Sequence, residues 1–370
     1  MAFGEATKKA TRDYRSYSET PWGLWDTMYS RRSHRKYLPL ELSRDFVQSL
    51  GDVVSLSSRV RGAGPEAIIP VTQRDTVEEV RKRSYKGLPN KINLWLARHP
   101  LSGFLVIAVP RDDLKRERPA ELPGASVALE DCVLWLAERE MGTCWLGGVN
   151  QKEIMDVMGL GKDMAVPVVV ALGKPKLKIG GANFDNLLYQ TISRRRKPMS
   201  AIASVETMGN PYTVDEIEKV PFSASAVQEV NGILGLMSKG AGKSGDAPLE
   251  LVIDACLEAA RIAPSASNAQ PWHFVVVEKN VAELAAHCGD SGGWRVGIVA
   301  AGKAGGWAST FFEKPFWMID LPIALSHISL MATSMDCESA LRMDGIDEGA
   351  INRLVGLPAG MRTAGVLGIK

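Results

Sequence analysis

Apolar and polar positions along the chain fall into helix-like and strand-like stretches that recur twice in the same order. In the first half the pattern predicts a helix over 42–55, a polar stretch over 59–93 and a strand over 103–109 closed by Pro110. An almost wholly apolar helix over 127–140 follows, then a glycine-rich loop over 141–148, a helix over 151–159 and a strand over 166–172. In the second half Leu251, Ala255, Ala259 and Ile262 share one helical face, which predicts a helix over 249–262. A strand over 272–278 comes next, then a glycine-rich excursion with Gly292, Gly293, Gly305 and Gly306, and a second all-apolar helix over 323–332.

The two halves also share letters. Val127-Ala128-Leu129 corresponds to Ile323-Ala324-Leu325, and Ile154, Val157, Met158, Gly159 and Leu160 correspond to Ile351, Leu354, Val355, Gly356 and Leu357. Leu172-Gly173 corresponds to Leu367-Gly368, all at a nearly constant offset of about 196 residues. The expectation is a duplication, with one unit over 25–198 and the other over 212–370, and with the glycine-rich stretch 238–248 as the clearest flexible segment. A helix that is apolar on all sides must be covered on all sides. The two such helices, 127–140 and 323–332, are therefore expected to pack on each other in one fused core.

Composition narrows the classes of function. The chain has 370 residues, 45% of them hydrophobic and 23% charged, as in a globular protein of two domains. A formal net charge of +2 gives no broad basic field for nucleic acid. The apolar runs are far shorter than the roughly 20 residues that span a bilayer, and no apolar segment of a secretory signal stands in residues 1–15. Five cysteines, odd in number and widely spread, suit reduced thiols in the cytoplasm rather than a disulfide framework. Five histidines without a ligand-spaced pair give no reason to expect a metal.

Three stretches carry candidate chemistry. Residues 263–272 read Ala-Pro-Ser-Ala-Ser-Asn-Ala-Gln-Pro-Trp, and Pro264 and Pro271 should hold the backbone between them extended and exposed. Ser265, Ser267, Asn268 and Gln270 both donate and accept hydrogen bonds, which suits a neutral, polar ligand edge; an ordinary turn after a helix gives the same letters. Arg31, Ser33 and Arg35 alternate, so in extended backbone they face one side and could clamp a phosphate. A second basic run, Arg194-Arg195-Arg196-Lys197, could add to that clamp, and each run alone also suits a solvated face. The third stretch, Met141 to Gly148, places Trp145 between glycines that allow close approach to a flat ligand; a helix end followed by a loop is the plainer alternative. Lys239 to Ser244 lacks the first glycine of a nucleotide-phosphate loop, since Met237 stands there, and Cys144 has no histidine nearby in sequence.

Together the three stretches resemble the signatures of the FMN-dependent nitroreductase family, and their order resembles its tandem-repeat subgroup. The resemblance implies an α+β fold with two similar halves, mainly antiparallel sheets and an intramolecular pseudo-dimer. In that family one subunit supplies the arginine clamp and the Gly-Thr-Cys-Trp stretch, and its partner supplies the Pro-Ser-x-x-Asn loop. Here the first half reads Ser57-Ser58-Arg59-Val60-Arg61-Gly62 where that loop should stand, and the second half reads Asp336-Cys337-Glu338-Ser339 in place of Gly-Thr-Cys-Trp. The resemblance thus implies one complete flavin site per chain. Arg31, Ser33 and Arg35, with Arg194 and Arg196, would bind the FMN phosphate. Pro264, Ser265, Ala266, Asn268 and Gln270 would flank the ribityl chain and ring, with Trp145 and the amides of Leu146, Gly147 and Gly148 by the hydride-accepting nitrogen. No residue matches the acidic group that the family places near that nitrogen. The implied activity is NADH- or NADPH-dependent reduction of nitroaromatics, quinones or similar small electron-poor acceptors, with no catalytic side chain of the protein's own. Other flavin chemistries on this fold (dehalogenation, ene reduction, flavin cleavage) and a non-catalytic flavin scaffold are the alternatives. A fused pair is expected as a monomer, with a homodimer as the second option.

Overall fold

The computed structural model describes residues 24–84, 99–176, 195–213, 232–238, 248–305 and 314–370. Arg194, Gly306 and the linker residues 239–247 lie outside the described residues. The chain divides into two compact units. One contains residues 30–84, 99–176 and Lys314; the other contains 24–29, 195–213, 232–238, 248–305 and 315–370. The units thus differ from the halves drawn at 25–198 and 212–370: residues 25–29 and 195–198 belong to the second unit and Lys314 to the first.

The first unit runs Tyr37–Leu38 (β1), Arg44–Arg61 (α1), Ile68–Val71 (β2), Arg74–Arg83 (α2), Gly103–Ile107 (β3) and Val109–Pro110 (β4). It continues with Glu121–Glu138 (α3), Gly142–Leu146 (β5), Gln151–Met158 (α4), Met164–Ala165 (β6) and Val169–Pro175 (β7). The second unit contains Ala203–Val205 (β8), Leu249–Ile262 (α5), Trp272–Val277 (β9), Val281–His287 (α6) and Val296–Lys303 (β10). It ends with Trp317–Ser334 (α7), Ser339–Arg342 (β11), Glu348–Leu354 (α8) and Met361–Ile369 (β12).

Duplication is visible in the topology. The first sheet orders its strands β5–β7–β3–β2, and the second orders the corresponding ones β11–β12–β10–β9, all antiparallel. Each sheet adds one short strand, β1 on β7 and β8 parallel to β9. Both halves are therefore α+β with mainly antiparallel sheets. Strand alternation then sorts each sheet's two faces. Phe104, Val106, Cys144, Leu146, Val169 and Ala171 pack with Val77, Val80, Ile154 and Met155 of α2 and α4. Leu105, Ile107, Val170 and Leu172 are buried on the face of the long helices α1 and α3. In the second unit Val275, Val277, Val299 and Val366 meet Leu284, Ala285, Ile351 and Val355 in the same way.

The helix ends explain the repeated letters. The side chain of Asn150 accepts from Glu153 N (3.2 Å) at the start of α4, and Asp347 accepts from Ala350 N (2.9 Å) at the start of α8. Each of these helices then stops at a left-handed glycine, Gly159 (φ 66°) and Gly356 (φ 62°).

Several expected elements are corrected. The polar stretch 59–93 contains the end of α1, then β2 and α2; α2 buries only Val77 and Val80, so its charged letters hide it. The glycine-rich excursion contains α6 and β10. The loop 141–148 is largely strand β5, laddered to β7 from Gly142↔Gly173 to Leu146↔Val169. The strand drawn at 166–172 begins only at Val169, because Pro167 has no N–H for a ladder.

Candidate functional site

In the first unit the structure brings two of the three stretches together. Ser33 forms a parallel bridge with Thr143, and His34 N donates to Thr143 O at 2.8 Å. Tyr37, buried beside them, donates its hydroxyl to His34 O at 2.6 Å. The arginine segment is thus pinned along β5, and glycine is required for the approach: a Cβ at Gly142 would lie 2.8 Å from Pro175 Cβ and 3.1 Å from the His34 ring. Arg31, Ser33 and Arg35 are half-buried. Burial, together with the charges of Arg32, Arg31 and Arg35, pushes the His34 imidazole down to a pKa of about 3. A neutral imidazole therefore sits among three guanidiniums. That is a concentrated cationic environment, of the kind that takes an anionic oxygen cluster.

Further along β5, Trp145 is half-exposed and its indole Nε1 donates to the buried Glu130 carboxylate at 3.0 Å. Leu146 is buried, and the following turn is tied by a residue that the sequence did not single out. Lys314, only 4% exposed, donates from Nζ to Gly147 O (2.7 Å) and to Pro167 O (2.8 Å). Burial pushes its ammonium down to about 8. The sole hint in the sequence is an isolated lysine within the aromatic run Phe311 to Trp317.

In the second unit the loop after α5 folds against the basic run. The backbone between Pro264 and Pro271 is not extended: Ala266–Asn268 make a tight 3-10 turn, and Ser267, Asn268 and Gln270 adopt positive φ of 53°, 54° and 48°. Ser267 and Ala269 are exposed, while Gln270 is buried. The prolines end the helix, but side chains from elsewhere decide the shape. Arg196 Nη1 donates to Ala263 O (2.9 Å) and Asn268 Oδ1 (2.7 Å), and Nη2 donates to Ile262 O (2.8 Å). Asn268 Nδ2 donates to Arg195 O at 2.7 Å, and Gln270 Nε2 donates to the same carbonyl at 3.1 Å. Lys197 N donates to Gln270 Oε1 (2.8 Å) and Lys197 Nζ to Gln270 O (2.7 Å). Ser265 Oγ accepts from Gln270 N at 2.9 Å.

Below this loop lies a second residue that sequence reasoning missed. Asp320, in the first turn of α7 and 4% exposed, accepts from Ala266 N at 3.0 Å. Burial raises its carboxyl to about 7 against the opposing pull of that N–H. An aspartate just ahead of the apolar helix predicted over 323–332 is its only signal in the sequence. Trp272 is core. Among the described residues no group of three His, Cys, Asp or Glu could hold a metal ion, and no helix is long and apolar enough to cross a membrane.

A family model described as "Nitroreductase family" matches residues 248–296. Among curated proteins no sequence matches the chain. Solved structures similar to it include a nitroreductase family protein from Clostridium novyi, 17% identical, covering 52% of this chain and 97% of that one with a TM-score of 0.35. An FMN-dependent nitroreductase from Clostridium difficile is 18% identical over 45% of this chain and 95% of that one, with a TM-score of 0.33. A candidate nitroreductase from Thermotoga maritima is 14% identical over 95% of this chain and 94% of that one, with a TM-score of 0.42. Residues 248–296, which run from α5 through the loop 263–271 into β10, are thus the part of this chain that matches the nitroreductase family model.

Proposed function

We propose that this chain is an FMN-dependent oxidoreductase that passes electrons from NADH or NADPH to nitroaromatics, quinones or similar electron-poor acceptors. The observation that carries the reading is the set of guanidiniums around His34, pinned along β5 by Ser33 and His34. It fits a terminal phosphate, because arginine offers planar donors that stay charged. The match of residues 248–296 to the family supports the second part of the assignment, the amide-rich loop.

In this reading Arg31, Ser33 and Arg35 hold the phosphate. Pro264, Ser265, Ala266, Asn268 and Gln270 lie against the ribityl chain and ring, and Trp145 with the backbone of Leu146, Gly147 and Gly148 borders the ring edge. Bound FMN would supply the hydride chemistry, with donor and acceptor taking turns at one face. The protein's part is orientation and charge. Lys314 fixes the carbonyl of Gly147, which sets the plane of the Gly147–Gly148 peptide and hence where its N–H points. Asp320 fixes Ala266 N in the loop.

The test is direct. Purified protein should carry flavin absorbance that bleaches on anaerobic addition of NADH or NADPH. Arg31→Ala with Arg35→Ala should weaken FMN by about 100-fold or more, since bonds to charged groups contribute about 1.5–3 kcal/mol each. Flavin content unchanged in that double variant refutes the clamp. A flavin that does not bleach with either nicotinamide would leave a carrier rather than an enzyme.

A further inference from the structure

Arg196 was expected beside the phosphate, yet its guanidinium is committed elsewhere. Ile262 O and Ala263 O are carbonyls at the end of α5, where a helix runs out of its own donors. Pro264, next in the chain, has no N–H to offer them. Arg196 supplies both bonds, at 2.8 and 2.9 Å, and Nη1 reaches on to Asn268 Oδ1 at 2.7 Å. The Asn268 amide then closes the circuit by donating to Arg195 O, so the basic run and the loop are stitched in both directions. Turning the guanidinium toward a phosphate would strand two carbonyls of buried residues, at about 1–3 kcal/mol each.

The stitching also has something to oppose. Ser267, Asn268 and Gln270 all hold positive φ without being glycine, and such residues each cost on the order of 1–3 kcal/mol. A loop with that much backbone strain relaxes unless its surroundings fix it. Lys197 and Asp320 help from two other sides through Gln270 and Ala266, and Lys197 O also accepts from Arg261 Nη1 (3.5 Å) in the last turn of α5, while Arg196 holds the terminal carbonyls themselves.

We propose that Arg196 is a positioning residue, which straps loop 263–271 to the end of α5 and so sets flavin affinity without touching the phosphate. The affinity clause rests on the FMN reading above; the strap does not. Lysine at this position keeps the charge but loses the planar fork. In the full chain, Arg196→Lys should speed hydrogen exchange at the amides of Asn268, Ala269 and Gln270 by about tenfold or more, with β9 and β10 unchanged. Its affinities for FMN and riboflavin should fall together by about tenfold, leaving their ratio as in the wild type. Unchanged exchange would overturn the strap. Riboflavin affinity intact while FMN weakens would overturn the positioning role, because that pattern marks a phosphate ligand. Wild-type protein that takes up neither flavin would defeat the FMN reading and leave the exchange rates to decide the strap. Asn268→Ala, which removes one acceptor of Arg196 and the amide's own bond to Arg195 O but spares the carbonyls at the helix end, should show the same loop-confined acceleration should Arg196→Lys not fold.

Discussion

Asp320→Asn should make the protein more stable at pH 8 than the wild type, although it removes a charged group. Asp320 is almost fully buried, faces Ala266 N, and has its carboxyl raised from 3.8 to about 7 by burial. A carboxyl raised on folding favours the native state below its unfolded pKa and loses that contribution as pH climbs through the folded one. For Asp320 the loss runs from about pH 4 to about pH 7. A shift of this size corresponds to about 4 kcal/mol at full ionisation, and local relaxation should leave about 2–4 kcal/mol to be seen. Asparagine keeps an oxygen for Ala266 N and cannot ionise, so the variant escapes the loss. Urea unfolding of both proteins at pH 4 and pH 8 gives the comparison, and the His34 titration cancels between them. The stability difference, variant minus wild type, should rise by about 2–4 kcal/mol from pH 4 to pH 8. A difference that stays constant, or shrinks toward pH 8, would refute the reasoning.

The remaining predictions address the first unit. His34, held near 3 by burial and three arginines, should show no imidazole titration by NMR between pH 7 and pH 4.5. Because its folded pKa lies below the unfolded 6.5, this unit should lose stability as pH falls through that window, and His34→Gln should flatten the loss. Gly142→Ala drives a methyl into Pro175 and His34, and should cost about 1–3 kcal/mol in urea unfolding while weakening FMN uptake. Lys314→Met strands the carbonyls of Gly147 and Pro167 at a cost of about 2–4 kcal/mol near neutral pH. Wild-type stability should rise between about pH 8 and pH 10.5, where the unfolded lysine still binds a proton that the folded one has released; Lys314→Met should lack that rise.

What was legible in the sequence was legible for physical reasons. Helix α5 has apolar residues at helical spacing and a proline just past its end, and the structure gives it the expected bounds, Leu249–Ile262, although it is buried on more than the one predicted face. The pairing of α4 with α8 could be read because a polar cap, a buried isoleucine and a left-handed glycine recur at the same distances. Helix α2 escaped because two buried valines are too few to show a period among seven charged residues. Strand β5 escaped because Gly142 reads as a breaker, whereas it is there to let His34 come close. The site divides the same way. Local order suggested the arginine clamp and the amide loop, but the loop's shape depends on Arg195, Arg196 and Asp320, which lie more than fifty residues away in sequence. Lys314 and Asp320 act only through tertiary partners, so their letters alone pointed nowhere.

Titration of the flavin-depleted chain with FMN, beside the same titration with riboflavin, bears most directly on the proposed function. The account predicts saturation at one FMN per polypeptide, with a preference over riboflavin that disappears in the Arg31→Ala, Arg35→Ala double variant. Saturation at two, no uptake at all, or a preference that survives in the double variant would contradict it.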